Sequence, residues 1–319
     1  MKIDGFASMD ADHVYIRRHN GLNRKEKGLQ ALRLCLGLSD LSSEHLTASE
    51  ENSLSWLKSR QEPIFVSIDT EGSHPIRELG VSILDTRKLD AATLSSDIST
   101  FIDSHNFRFW KNEEAEEERP FRFGRSVQIQ SRWKGWLLRK IVATGSPDMS
   151  VTEPRNVILV GHSIIDEFHA FAVARKGKFR ITEHPEVPIF DTQCLAHRFG
   201  DVRSLKEVLV ELGIPHGYLH NAGNDAHFTL KLLLMQVVNS CRDMEMSPQQ
   251  HEREMLLHAI AQMDMPHRKP GTRRRELALQ TADSPFAYER QEENRYDDCQ
   301  DGVSWVHCLD VDSKAVKRA

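Results

Sequence analysis

The sequence predicts an α/β domain built as a mixed sheet flanked by helices, with helical or disordered terminal arms, and three observations carry that prediction. Between Gln61 and about Asn239, short apolar runs alternate with stretches of helical periodicity. The first two runs are close enough in sequence to pair as an antiparallel hairpin, and the later ones are separated by helical patterns. The 319 residues, 39% hydrophobic and 28% charged, have the composition of a globular chain long enough for one large domain with arms or two modest ones.

Each element follows from a local pattern. Ile64 to Asp69 is an apolar run that ends in a carboxylate and reads as a buried strand, and Arg77 to Asp85 is its antiparallel partner. A third, weak strand is expected near Phe101 and Ile102. Asn156 to Gly161 is a bounded apolar run ahead of a helix from Ile164 to Arg175, and Val187 to Asp191 completes a five-stranded sheet. Ser204 and Glu207 have capping-box spacing and open a helix that stops at Gly213. Asn224 to Val238 forms a strongly apolar final helix, and Ser247-Pro248 starts one more, running to Met263.

The flanks differ in character. Residues 1–60 form an arm with amphipathic helices expected around Leu29–Leu36 and Leu54–Leu57, behind a basic stretch from Arg17 to Lys27 that holds five Lys/Arg against one Glu. Residues 61–240 are the α/β domain, and 241–319 a helix followed by a basic tail that includes His267 to Arg275. Lys111 to Arg119, with five Glu in nine residues, reads as a solvated loop.

Several function classes are excluded at this level. With 42 Lys+Arg against 47 Asp+Glu, the net charge of −5 rules out bulk polycationic binding, so nucleic-acid affinity has to come from local patches. Five cysteines (Cys35, Cys194, Cys241, Cys299, Cys308), scattered and without a Cys-x-x-Cys pair, argue against a disulfide framework or structural zinc. No apolar run approaches the ~18 residues of a membrane span, and the first residues lack the apolar core of a secretory signal. The expected location is intracellular, cytoplasmic or nuclear, with no membrane partner.

The chemistry lies in three separated segments. Asp69 and Glu71 are two apart on the first strand, so both carboxylates leave the same face at its end. Like charges side by side are costly to bury, and the usual compensation for such hard oxygen donors is Mg²⁺ or Mn²⁺. Gly161-His162-Ser163 is followed by Asp166 and Glu167 on the first turn of the next helix, which supplies a third acidic group. His220 precedes the final helix and Asp225 enters it, offering a base and a further ligand.

Taken in order, these segments resemble the three motifs of the DEDDh, or DnaQ-like, 3′-to-5′ exonucleases over about residues 63–238. The likeness extends to Arg77–Asp85, Val187–Thr192 and Ser204–Leu209, and His220-Asn221-Ala222-Gly223-Asn224-Asp225-Ala226 together with Phe121–Gly124 is similar to a fungal branch of that superfamily. The resemblance implies a ribonuclease H-like fold and hydrolysis of DNA or RNA from a 3′ end, a single strand above all, to 5′-nucleoside monophosphates. It implies two Mg²⁺ or Mn²⁺ ions, roughly 4 Å apart, held by Asp69, Glu71, Asp225 and either Glu167 or Asp166, with His220 as general base. The family carries Asp five residues after the motif-two histidine, where this chain has Glu167. Helix phasing favours Glu167, because Phe168 and Phe171 then fall on the apolar face, and Asp166 is the alternative.

Two rival functions follow from the same residues. Glu167, one methylene longer than aspartate, favours a ribonuclease H-like binding module for nucleic acid or protein with weak or no catalysis. Ser163, Asp191 and His220 follow the chain order of an α/β-hydrolase triad, although Ile165 stands where the nucleophile elbow needs glycine.

Overall fold

The computed structural model describes residues 25–40, 62–72, 75–90, 97–110, 119–148, 150–172, 179–184, 187–196 and 203–266. Strands β1 (Ile64–Glu71), β2 (Glu78–Asp85), β3 (Ile102–Trp110), β4 (Ser126–Gln130), β5 (Val157–Gly161) and β6 (Ile189–Asp191) form one mixed sheet in the order β4-β3-β2-β1-β5-β6. β1, β2 and β3 run antiparallel, β5 and β6 continue parallel to β1, and β4 lies parallel to β3. The helices are α1 (Lys25–Cys35), α2 (Thr86–Asp90), α3 (Lys134–Thr144), α4 (Ile164–Ala172), α5 (Thr192–Ala196), α6 (Leu205–Glu211), α7 (Ala222–Asn239) and α8 (Pro248–Gln262). The helix expected around Leu54–Leu57, the acidic run at 111–118 and the basic stretches at 17–24 and 267–275 lie outside the described residues.

The sheet has six strands rather than the five expected. β4, Ser-Val-Gln-Ile-Gln, is an edge strand in which Ile129 is the buried residue, so it lacks the apolar run that marks a strand in sequence. β3 reaches nine residues instead of a short piece near Phe101, because its polar residues Ser104 and Asn106 are buried and bonded rather than exposed. α3 was also not anticipated. It is tied to the β1–β2 turn by buried Lys134, whose Nζ donates to Ile76 O at 2.6 Å and sits over the Phe109 ring.

β1 is buried from Ile64 through Ile68 and opens only at Asp69–Glu71, where the strand outruns its parallel neighbour β5, which pairs with residues 64–67. α7 is buried almost all round because it lies between the sheet and α8. Its Phe228, fully buried, belongs to a core that also takes Leu29 and Leu32 of α1 and Leu256, Leu257 and Ile260 of α8. Truncating such a phenylalanine to alanine costs roughly 3–5 kcal/mol. The capping boxes at Ser204/Glu207 and Ser247/Gln250 form as the spacing predicts.

One glycine sets where α7 meets the sheet. A Cβ on Gly80 would lie 1.8 Å from Ala222 O, so only glycine lets the α7 N-terminus touch β2 there. Gly80 is also the ladder partner of Asp69, and the closest approach of α7 therefore falls beside the acidic end of β1.

Candidate active site

Asp69 and Glu71 leave the end of β1 on one face, as strand alternation requires, and both are half-buried. Thr70, between them, meets α4, its hydroxyl donating to Glu167 Oε2. Glu167, on the first turn of α4, is only 9% exposed. Asp166, its neighbour, is exposed and takes the Ser163 hydroxyl at 2.8 Å. Adjacent helix positions point about 100° apart, so the packing that buries Phe168 and Phe171 turns Glu167 toward β1 and Asp166 away.

From the opposite side α7 brings Asp225. Its Oδ2 accepts the His220 backbone N–H at 2.8 Å, while its buried Oδ1 has no hydrogen-bond partner. His220 holds φ at 65°, the left-handed region, and this turn places its Nδ1 4.0 Å from Glu71 Oε1 with the side chain 74% exposed. Ligand atoms of Glu71, His220 and Asp225 lie within 4.8 Å of one another.

The carboxylates perturb one another strongly. Burial first, and then the charges of Glu167, Asp225, Glu71 and Glu78, push Asp69 well above the ordinary carboxylate range. Burial also raises Glu167 to about 8 in spite of the Thr70 hydrogen bond, with Asp166 and Glu71 adding repulsion. Asp225 rises to about 7, again chiefly through burial, with the His220 N–H opposing the shift. An unpaired buried acceptor costs about 1–3 kcal/mol, and a bound cation would offset both that cost and the repulsion that raises these carboxylates. All-oxygen donors suit Mg²⁺ or Mn²⁺, so the residues present fit such ions.

Sequence reasoning missed the frame that holds the third segment. Glu78 sits opposite Glu71 in the β1–β2 register, pairs with Arg108 at 3.4 Å, and accepts from Asn221 Nδ2 and Ala222 N at the start of α7. Asn106 Oδ1 takes the Gly223 N–H at 3.2 Å. Asn224 accepts from Arg122 N and donates to Pro120 O and Tyr218 O. Sequence could have flagged Glu78 only with the register known, because its role depends on what lies across the ladder.

The hydrolase arrangement is not assembled among the described residues. Asp191 accepts the backbone N–H groups of Ser163, Ile164 and Gln193, Ser163 Oγ bonds Asp166, and the His220 ring faces Glu71. His162 is a structural residue, its two ring nitrogens engaged by Thr192 Oγ1 and Arg203 O.

The family model for the C-terminal domain of DNA polymerase III subunit epsilon-like proteins, DEDDh_C, matches residues 64–236, more than half of the chain. No curated protein matches the sequence. Among the described residues no helix is long and apolar enough to cross a membrane.

Proposed function

The chain belongs to this DEDDh family, a nuclease lineage with a ribonuclease H-like mixed sheet, and from that premise we propose a divalent-metal-dependent 3′-to-5′ exonuclease that releases 5′-nucleoside monophosphates. The observation that carries the proposal is the convergence of Asp69, Glu71, Glu167 and Asp225 from β1, α4 and α7, with the buried Asp225 Oδ1 left unpartnered.

In this reading Asp69, Glu71, Glu167 and Asp225 hold Mg²⁺ or Mn²⁺. When bound, such ions lower the barrier to water attack and stabilise the leaving 3′-oxygen. His220, at the exposed rim beside Glu71, removes the proton of the attacking water. Its reach is fixed by the left-handed turn at 220 and by the bond from its N–H to Asp225. Thr70 positions Glu167, offsetting the longer side chain by giving its carboxylate a fixed donor. The segments flanking residues 61–240 add phosphate contacts in this reading, read out as a salt-dependent KM.

The test uses a single strand labelled at its 5′ end, so that stepwise shortening reports cleavage from the 3′ end. Mg²⁺ or Mn²⁺ should produce a ladder and free mononucleotides, EDTA should abolish both, and His220→Ala should be severely impaired while remaining folded. A strand that binds but is never shortened, with either ion, overturns the proposal in favour of a nucleic-acid-binding module. The presence of Glu167 in the acidic cluster is the observation that favours that second reading.

A further inference from the structure

The loop ahead of α7 holds two of the four non-glycine residues with left-handed backbone among the described residues, Tyr218 at φ 53° and His220 at φ 65°. For His220 the conformation delivers the N–H to Asp225 and the ring to Glu71. The Tyr218 side chain makes no hydrogen bond among the described residues, yet its conformation is enforced just as firmly, Asn224 Nδ2 donating to its carbonyl at 2.8 Å. Strained backbone of this kind persists where the surroundings over-determine it, and it concentrates at functional sites.

That enforcement displays the ring. Tyr218 is 49% exposed, one of three large hydrophobic residues so placed among the described residues, and the Arg122 guanidinium lies 4.7 Å from its ring centroid. Arg122 is itself pinned, its N–H to Asn224 Oδ1 and Nη2 to Pro266 O. A second cation is held at the same loop: exposed Arg119 donates Nη1 to Leu219 O at 2.7 Å, and its charge is felt by Asp225.

We propose that Tyr218 is a stacking platform for a nucleobase of single-stranded nucleic acid, with Arg119 facing the adjoining phosphate. The proposal rests on the nuclease reading above and adds a substrate subsite to it. Two residues of extended chain span at most about 7 Å, so the Tyr218 and His220 backbones lie within about one nucleotide's length of each other. An aromatic face accepts any base, so the platform gives grip without sequence preference, and the guanidinium behind it stiffens the ring.

The experiment uses the full chain and a 5′-labelled single strand with phosphorothioate linkages at its 3′ end, read by fluorescence anisotropy, alongside turnover on the unmodified strand. Tyr218→Ala and Tyr218→Gly should each raise Kd and KM about tenfold, the change falling in KM rather than kcat, and Tyr218→Phe should stay within about twofold of wild type. Glycine adopts a positive φ without strain, so Tyr218→Gly should melt at or above the wild-type temperature while still losing affinity, which a purely structural tyrosine would not do. On a strand made abasic at its last nucleotides, wild type should lose about tenfold and Tyr218→Gly no more. Wild-type affinity in Tyr218→Gly, a loss equally large on the abasic strand, or no single-strand binding by the wild type each overturns the platform. Binding that shows the platform effect without any shortening of the unmodified strand overturns the nuclease reading alone.

Discussion

The β1–β2 ladder carries carboxylates at both ends, and the two ends are electrostatic opposites. At the end where Ile64 pairs with Asp85, that aspartate meets two guanidiniums, Arg87 at 2.6 Å and Arg155 at 3.3 Å. Burial opposes its ionisation, but the hydrogen bonds from Arg87 and Arg155 outweigh it and hold Asp85 down at about 2. At the other end Asp69 and Glu71 meet Glu167 and Asp225, and burial together with mutual repulsion drives Asp69, Glu167 and Asp225 upward. Glu78, at the same end, has Arg108 and the α7 N-terminus to balance it. One end thus closes its charge within the chain and serves the fold, while the acidic cluster at the other is the one proposed to take a cation.

The largest expected effect breaks the acidic end. Asp69→Asn should reduce turnover about a thousandfold, yet leave the melting temperature equal or higher, because it removes one of the mutually repelling charges. Parallel loss of fold and activity would show that Asp69 is structural, and thermal unfolding beside mononucleotide release distinguishes the two.

The next effect is smaller and sharper. Glu167→Ala should cost about a hundredfold in rate, Asp166→Ala less than about twofold, and Glu167→Asp should retain turnover. Thr70→Val should fall between them, since it frees Glu167 without removing it. Wild-type kinetics in Glu167→Ala with a dead Asp166→Ala would reverse the assignment that the packing of α4 supports.

Metal itself should act as a stabiliser. At about a hundredfold excess over its Kd, Mn²⁺ should add about 2.7 kcal/mol to wild-type stability, with no gain in Asp225→Asn and full reversal by chelator. Equal stabilisation of both proteins in denaturant titrations would place the ion elsewhere.

The smallest effect belongs to the paired end. Asp85→Ala should cost on the order of 1 kcal/mol, the scale of a solvent-screened ion pair, with turnover unchanged. The sign of its pH dependence follows from the depressed folded value: the contribution is complete above the unfolded pKa of about 3.9 and is lost as pH falls toward about 2. The stability gap between wild type and Asp85→Ala should therefore narrow as urea melts are taken from pH 5 down to pH 3. A gap that widened on acidification would break the comparison at this end.

Short-range physics made much of this molecule legible from its residues alone. The apolar run at Ile64–Ile68, the caps at Ser204 and Ser247 and the periodicity of α7 are local patterns, and the structure places an element at each. Alternation along a strand was enough to put Asp69 and Glu71 on one face, and helix phasing was enough to turn Glu167 inward and Asp166 out. β4 and most of β3 were not legible, because a half-polar strand is stabilised by what pairs with it and carries no apolar signature of its own. The same limit hid the frame around the third segment. Glu78 can cap α7 and Asn106 can hold Gly223 because Gly80 lets the α7 N-terminus come into contact with β2, and Asn224 of the same turn holds Tyr218. Which acidic and histidine residues are candidates for chemistry was written in motif order and periodicity; how the three segments meet was decided by register and by that close backbone approach, which no local pattern encodes.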